Sequence, residues 1–210
     1  KRNLSEETIK YFKLGYSYNS KKTLYEFLKE QNFNDKEILE SNVVKLNKNN
    51  KIRDFFYNRL MFPILNEYGK IVAFGGRVLD NSNPKYINSP ESDFFKKKNI
   101  LYNLYNSKQI IRSKKNMLIC EGYMDVISLY DKKIKTAVAP LGTSLTENHL
   151  QLSWKYVNKP TLMFDGDSAG LKASFKSAIM SLPHLTPSKL LQFVILPNEY
   201  DPDTYINEYS

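Results

Sequence analysis

Three acidic clusters carry the strongest chemical signal in this chain. Glu121 and Asp125 stand in EGYMD, Asp165 and Asp167 in FDGD, and Asp201 and Asp203 in DPD. Each cluster follows a short apolar run: NMLIC, TLMF and LLQFVIL. If those runs are parallel strands of one sheet, all six carboxylates fall along its carboxyl edge, where open α/β sheets bind their ligands. Glu121 and Asp125 are four apart at an expected helix start, so their side chains can converge. The outer positions of each D-x-D pair point the same way on an extended backbone. Carboxylates crowded in this way repel, which raises their pKa values unless a cation is present. All-oxygen donors suit Mg²⁺ or Mn²⁺, and two such ions can clamp the attacking and leaving oxygens of a phosphoryl transfer. Any one cluster alone also reads as a helix cap or a turn; three of them after three strands favour the metal reading.

Other acid and phosphate motifs do not fit. A calcium loop starting at Asp165 would need Asp or Asn at 169 and Glu at 176, where the chain has Ala169 and Lys176. Ala169 also breaks the D-x-D-x-T of an aspartyl nucleophile, and no G-x-x-x-x-G-K-[ST] occurs. The one cysteine, Cys120, excludes an intramolecular disulfide and multi-cysteine zinc sites, and reads as a packed strand residue. His149 and His184 are expected at the surface, and Trp154 and the helix aromatics of the second half in the core. The longest apolar runs are too short for a membrane span, and the polar N-terminus shows no signal peptide. The first residue is Lys rather than Met, which reads as a piece of a longer, intracellular chain.

The elements that must position these acids differ between the halves. Residues 1–115 hold 23 Lys and Arg against 12 acids, whereas residues 116–210 hold 8 against 10. The basic half attracts anions, nucleic acid being the commonest large one, although a lysine-rich surface alone would look similar. Helices are expected over residues 4–13, 23–31 and 35–42, then a hairpin of residues 60–65 and 70–74 across the turn NEYG. Gly75-Gly76 reads as a bulge or a close backbone approach. Residues 80–99 read as a loop with a lysine run at 96–98, and a short helix near 101–112 leads to a boundary at 113–116. Beyond it, strands at 116–120, 136–139, 161–164 and 190–196 alternate with helices near 123–131, 146–156 and 168–181. The fold class is therefore α/β (α+β overall): a basic mixed α/β subdomain, 1–115, followed by a parallel four-stranded sheet flanked by helices, 116–210.

Taken in order, EGYMDVISL, LGTSLT, FDGDSAG and DPD resemble the TOPRIM domain of bacterial DnaG-type DNA primases. The basic half resembles the same family through LSEETIKYFKLGY, NRLMFPI, GKIVAFGGRVL and PKYINSPES with its lysine run. The resemblance implies a metal-dependent ribonucleotidyl transferase that makes short RNA primers on single-stranded DNA. It implies Glu121, Asp165 and Asp167 as the catalytic centre, with Asp125, Asp201 and Asp203 completing the Mg²⁺ or Mn²⁺ ligands. Gly122 and Gly166 would let the backbone approach phosphates. Arg59, Arg77, Lys85 and Lys97 would hold template and nucleotide, with Tyr86 and Asn88 as weaker candidates for a base or sugar contact. Ribonucleoside triphosphates, the RNA primer and a replicative helicase are the implied partners, at the replication fork of a bacterial cytoplasm, for a monomer that needs no membrane. The family's zinc-binding and helicase-binding domains are expected to lie outside this sequence. The rival readings are a TOPRIM nuclease or topoisomerase-like strand cleaver, and a catalytically silent single-strand-binding module.

Overall fold

The computed structural model describes residues 4–18, 20–142 and 144–209. The basic half opens with α1 (Glu6–Tyr11), capped by the Ser5 hydroxyl, which accepts from the Thr8 N–H. The hydroxyls of Ser5 and Thr8 both donate to Asp131 at 2.5 Å, anchoring this helix to the other half of the chain. β1 (Gly15–Ser17) is followed by α2 (Leu24–Glu30) and α3 (Asp35–Glu40), each started by a reciprocal capping box, Thr23 with Glu26 and Asn34 with Glu37. β2 (Val44–Leu46) and β3 (Ile52–Asp54) form a separate two-stranded ribbon. β4 (Arg59–Leu65), β5 (Ile71–Val78) and β6 (Tyr86–Asn88) join β1 in an antiparallel sheet ordered β1-β4-β5-β6.

A 3₁₀ turn (Lys97–Asn99) and α4 (Leu104–Lys114) lead into the acidic half. There β7 (Leu118–Ile119), α5 (Tyr123–Asp131), β8 (Ala137–Val138), α6 (Glu147–Trp154), β9 (Thr161–Phe164), α7 (Ser168–Ser181), a 3₁₀ turn (Leu182–His184), β10 (Gln192–Ile195) and α8 (Pro202–Tyr209) follow in turn. The sheet order is β10-β9-β7-β8 and every pairing is parallel. The chain crosses back over the sheet through α5, α6 and α7, as parallel pairing requires.

Several details depart from the expectation. β5 runs unbroken through Gly75 and Gly76, and the one register shift of the β4–β5 pair lies between Ile64 and Leu65, beside the turn. The paired glycines serve close approach instead: a Cβ on Gly75 would stand 2.9 Å from the Tyr123 ring, and one on Gly76 2.8 Å from Phe56. β6 and the turn Lys97–Asn99 give residues 80–99 more structure than a loop. DPD opens a further helix, α8, because Pro202 at its first position is pre-set for helical φ. Trp154 is buried as expected, but Phe175 is 70% exposed. The reason is that α7 turns its small residues inward, Gly170, Ser174, Ser177 and Ser181, and leaves Leu171, Phe175 and Ile179 in solvent.

One apolar core joins the two sheets. Phe12, Phe62, Ile64, Ala73 and Phe95 from the basic half pack with Tyr123, Val126, Ile127 and Leu141 from the acidic half. The Tyr123 ring stacks on Phe62 with centroids 5.1 Å apart and planes at 6°. A second core of Leu101, Ile111, Met117, Ile119, Leu150, Leu162 and Phe164 lies against the parallel sheet. Gly75→Val should therefore force the Tyr123 ring off Phe62 and destabilise the fold by about 1–3 kcal/mol. A denaturant midpoint unchanged from the parent would contradict that packing.

Candidate active site at the carboxyl edge of the parallel sheet

Where the strands end, local backbone chemistry delivers the acids. β7 ends on apolar residues, with Cys120 fully buried, and Glu121 is the first side chain to reach solvent. Glu121 Oε1 accepts the Asp165 N–H at 3.3 Å, tying the loop after β7 to the loop after β9. Asp167 is the N-cap of α7, accepting from the N–H groups of Ala169 and Gly170 at 2.9 and 2.8 Å. The Gly166 N–H donates to the Tyr200 carbonyl at 2.8 Å, which brings FDGD against DPD. A Cβ on Gly166 would stand 2.0 Å from the Pro197 carbonyl oxygen, so that close approach needs glycine. Asp201 accepts from the Thr204 N–H at 2.6 Å and the Thr204 hydroxyl at 2.8 Å at the start of α8.

The remaining two acids are placed differently. Asp125 is buried and accepts the Gly122 N–H at 2.9 Å, closing the cap of α5. Asp203 is buried and accepts from Asn207 Nδ2 at 2.9 Å.

Electrostatics couples the acids that reach the rim. Asp165 is raised from 3.8 to about 6, first by desolvation and then by the charges of Glu121, Asp201 and Asp167. Glu121 is also raised, by desolvation and by Asp167, against the lowering effect of the Asp165 N–H. The Cys120 thiol is pushed well up by burial and then by Asp125, Asp165 and Glu121, so it stays protonated and inert. Among the described residues, no group of three or more His, Cys, Asp or Glu side chains is gathered closely enough to hold a metal ion on its own. The donor set nonetheless fits a hard cation. Every rim donor is a carboxylate oxygen, and Mg²⁺ commonly takes one or two carboxylates and completes its shell with water and substrate phosphates.

The basic candidates fall into three environments. Arg59 is buried and donates Nη1 to the Pro84 carbonyl at 3.0 Å and the Gly76 carbonyl at 3.4 Å, so it braces β4 against β5 and the start of β6. Arg77 is half-buried with its guanidinium 5.6 Å from the Tyr86 ring centroid. Its Nε is buried without a hydrogen-bond partner among the described residues. Lys85 is exposed. Lys97 is half-buried between exposed Lys96 and Lys98, and its N–H donates to Glu91 at 2.9 Å.

Two residues have roles that the sequence reading did not foresee. Asn88 accepts the Tyr123 hydroxyl at 2.5 Å and donates Nδ2 to the Leu141 carbonyl at 3.0 Å. Its amide thus takes part in the seam between the sheets. His149, expected at the surface, is fully buried, with Nδ1 on the Thr146 N–H and Nε2 on the Lys97 carbonyl. The spacing T-x-x-H, a capping box with His in the usual Glu position, was the available signal. His184 lies 3.2 Å from Glu147 and is partly exposed. Within LGTSLT, Thr143 lies outside the described residues.

The raised Asp165 value fixes the sign of a pH effect. The folded state holds this proton more tightly than the unfolded chain, so the contribution of Asp165 is fully present below about pH 4 and lost as pH rises through about 6. In EDTA, Asp165→Asn should lose less stability than the parent between about pH 4.5 and about pH 7.5. Equal losses in the two proteins would show that Asp165 is not destabilised at the rim.

Residues 1–108 match the family described as DNA primase catalytic core, N-terminal domain, and residues 118–206 match a Toprim-like domain. The DNA primase of Rickettsia felis is 39% identical over 207 residues, covering 99% of this chain and 35% of that protein. The chain thus spans about a third of the length of the curated relatives it matches. A DnaG primase catalytic domain solved bound to single-stranded DNA is 38% identical with a TM-score of 0.88, over 98% of this chain and 64% of that one. A DNA primase domain from Pseudomonas aeruginosa gives 38% and 0.89 over the same shares. The chain belongs to the bacterial DnaG-type DNA primases, carrying their N-terminal catalytic-core domain followed by a Toprim domain.

Proposed function

We propose that this chain is the polymerising core of a bacterial primase, making short RNA primers on single-stranded DNA by metal-dependent ribonucleotidyl transfer. The observation that carries the reading is the cross-tied acidic rim. Glu121, Asp165, Asp167 and Asp201 are held in one electrostatic field by backbone contacts between loops that are remote in sequence. In this reading Glu121, Asp165 and Asp167 are the catalytic carboxylates, and Asp125, Asp201 and Asp203 support the ion-binding rim. When bound there, Mg²⁺ or Mn²⁺ supplies the positive charge that a triphosphate needs and favours in-line geometry.

The chain's own groups do the rest. Glu121, whose pKa is raised by desolvation and by the charge of Asp167, accepts the proton of the attacking 3′-hydroxyl. The hydroxyl oxygen bonds to the α-phosphorus of the incoming ribonucleotide, the bond to the bridging oxygen breaks, and pyrophosphate leaves. Arg77, whose buried Nε has no hydrogen-bond partner among the described residues, would clamp a phosphate bidentately, and Lys85 and Lys97 would add point charges along the template or triphosphate. Arg59 acts from behind, holding the strands that present them. Gly122 and Gly166 keep the rim loops close enough to the sheet for phosphates to approach. The division of labour follows the charge: residues 1–115 hold template and nucleotide, and residues 116–210 carry the chemistry. Ribonucleoside triphosphates and primer are substrate and product. Helicase contact and zinc belong to other segments of the family's longer chains, and the work belongs to the replication fork of a bacterial cytoplasm.

The test is a gel with single-stranded template, labelled ribonucleotides and Mg²⁺ or Mn²⁺, run on the full-length protein. Short template-dependent RNA should appear, and should fall by at least about 100-fold in Glu121→Gln. Cutting of the template instead would replace this reading with a nuclease. Arg77→Ala should raise the KM for ribonucleotide by about tenfold, with Arg77→Lys recovering only part, since a lysine cannot make the bidentate contact. Full recovery by lysine would reduce Arg77 to a simple point charge.

A further inference from the structure

Besides the Glu91 contact to its N–H, Lys97 is held from the other half of the molecule, by the first turn of α6. His149 Nε2 is 2.9 Å from the Lys97 carbonyl oxygen, and Asn148 Nδ2 donates to Asn99 Oδ1 at 2.8 Å. The Thr146 hydroxyl adds a longer contact, 3.4 Å, to the Lys98 carbonyl. The whole turn Lys97–Asn99 is thus seated on the start of α6.

The hydrogen-bond partners of His149 identify its tautomer. Nδ1 lies 3.2 Å from the Thr146 N–H, which can only donate, so Nδ1 presents its lone pair. The ring proton is then on Nε2 and is donated to the Lys97 carbonyl, which can only accept. One neutral imidazole therefore does two jobs, closing the helix cap through one nitrogen and gripping the lysine turn through the other. A Glu at this position, the usual choice, would close the cap but has no proton for the carbonyl. Burial disfavours the charged ring, outweighing the opposing pull of the Lys97 and Ile100 backbone.

We propose that His149 is a positioning residue that clasps the turn Lys97–Asn99 to α6 and thereby sets where Lys97 is presented to substrate. The inference rests on the reading of Lys97 as a phosphate contact. It adds a dependence of substrate binding on a buried side chain that touches no substrate.

The test measures KM and kcat for ribonucleotide in the full-length protein with His149→Leu, His149→Gln, Lys97→Ala and the His149→Leu, Lys97→Ala double variant. Leucine removes both hydrogen bonds and should raise KM by about tenfold with kcat within about twofold. Glutamine, which can accept from Thr146 and donate to Lys97, should restore most of the loss. The double variant should be no worse than Lys97→Ala alone. Additive losses, or a leucine effect confined to kcat or to melting temperature, would overturn the proposal. Should His149→Leu fail to fold, Asn148→Ala removes an exposed tie of the same turn and should raise KM by about two- to threefold; an unchanged KM there would also overturn it. An unchanged KM in Lys97→Ala would instead defeat the reading of Lys97 as a phosphate contact, and with it the consequence for substrate. The clasp itself is decided separately by long-range ¹H–¹⁵N spectra at neutral pH, where the Nε2–H tautomer supports it and the Nδ1–H tautomer refutes it.

Discussion

The hydrogen bond from the Tyr123 hydroxyl to Asn88 is the contact on which the geometry of both halves depends. Tyr123 follows Glu121 and Gly122 directly, so fixing its ring fixes the start of α5 and the end of β7. Asn88 lies at the end of β6 and reaches on to the Leu141 carbonyl. One amide thus links the antiparallel sheet, the first acidic loop and the loop before α6. Space for it is made by absent side chains: Gly75 clears the ring, and a Cβ on Gly142, at φ +68°, would stand 2.8 Å from Asn88 Nδ2. Because the halves are locked here and share an apolar core, the basic sheet is presented at a fixed angle to the acidic rim.

At the rim, the packing of the acids disfavours their charged forms. Backbone contacts hold Asp165 near Glu121, Asp167 and Asp201, although their mutual repulsion and desolvation disfavour the charged forms. A fold selected for stability alone would separate these charges or neutralise one of them. In the opposing half, the Arg77 Nε is buried without a hydrogen-bond partner among the described residues.

Much of this was legible in the sequence because it is local. Short apolar runs followed by acids placed Glu121, Asp165 and Asp167 at strand ends, and helices near 123–131 and 168–181 stand where α5 and α7 are found. What escaped depends on packing between distant segments. His149 looked like a surface residue because its two partners, Thr146 and Lys97, are joined only in the folded chain. Phe175 looked like core because apolar residues usually face inward, whereas α7 approaches the sheet through serines. The bracing contact of Arg59 was not legible either, because the bend before β6 brings the Pro84 carbonyl onto its guanidinium only in the folded chain. Asp125 carried both readings, metal ligand and helix cap, and its cap contact to Gly122 is the one the fold displays.

The central claim is that the cross-tied carboxylates are a cation site completed by substrate. Crystals soaked in Mn²⁺ with a non-hydrolysable ribonucleoside triphosphate, measured at the manganese absorption edge, test it most directly. Anomalous density between the triphosphate and Glu121, Asp165 or Asp167, with Arg77 turned onto a phosphate, is the expected result. Manganese bound away from the rim, or a triphosphate seated without it, would contradict the claim.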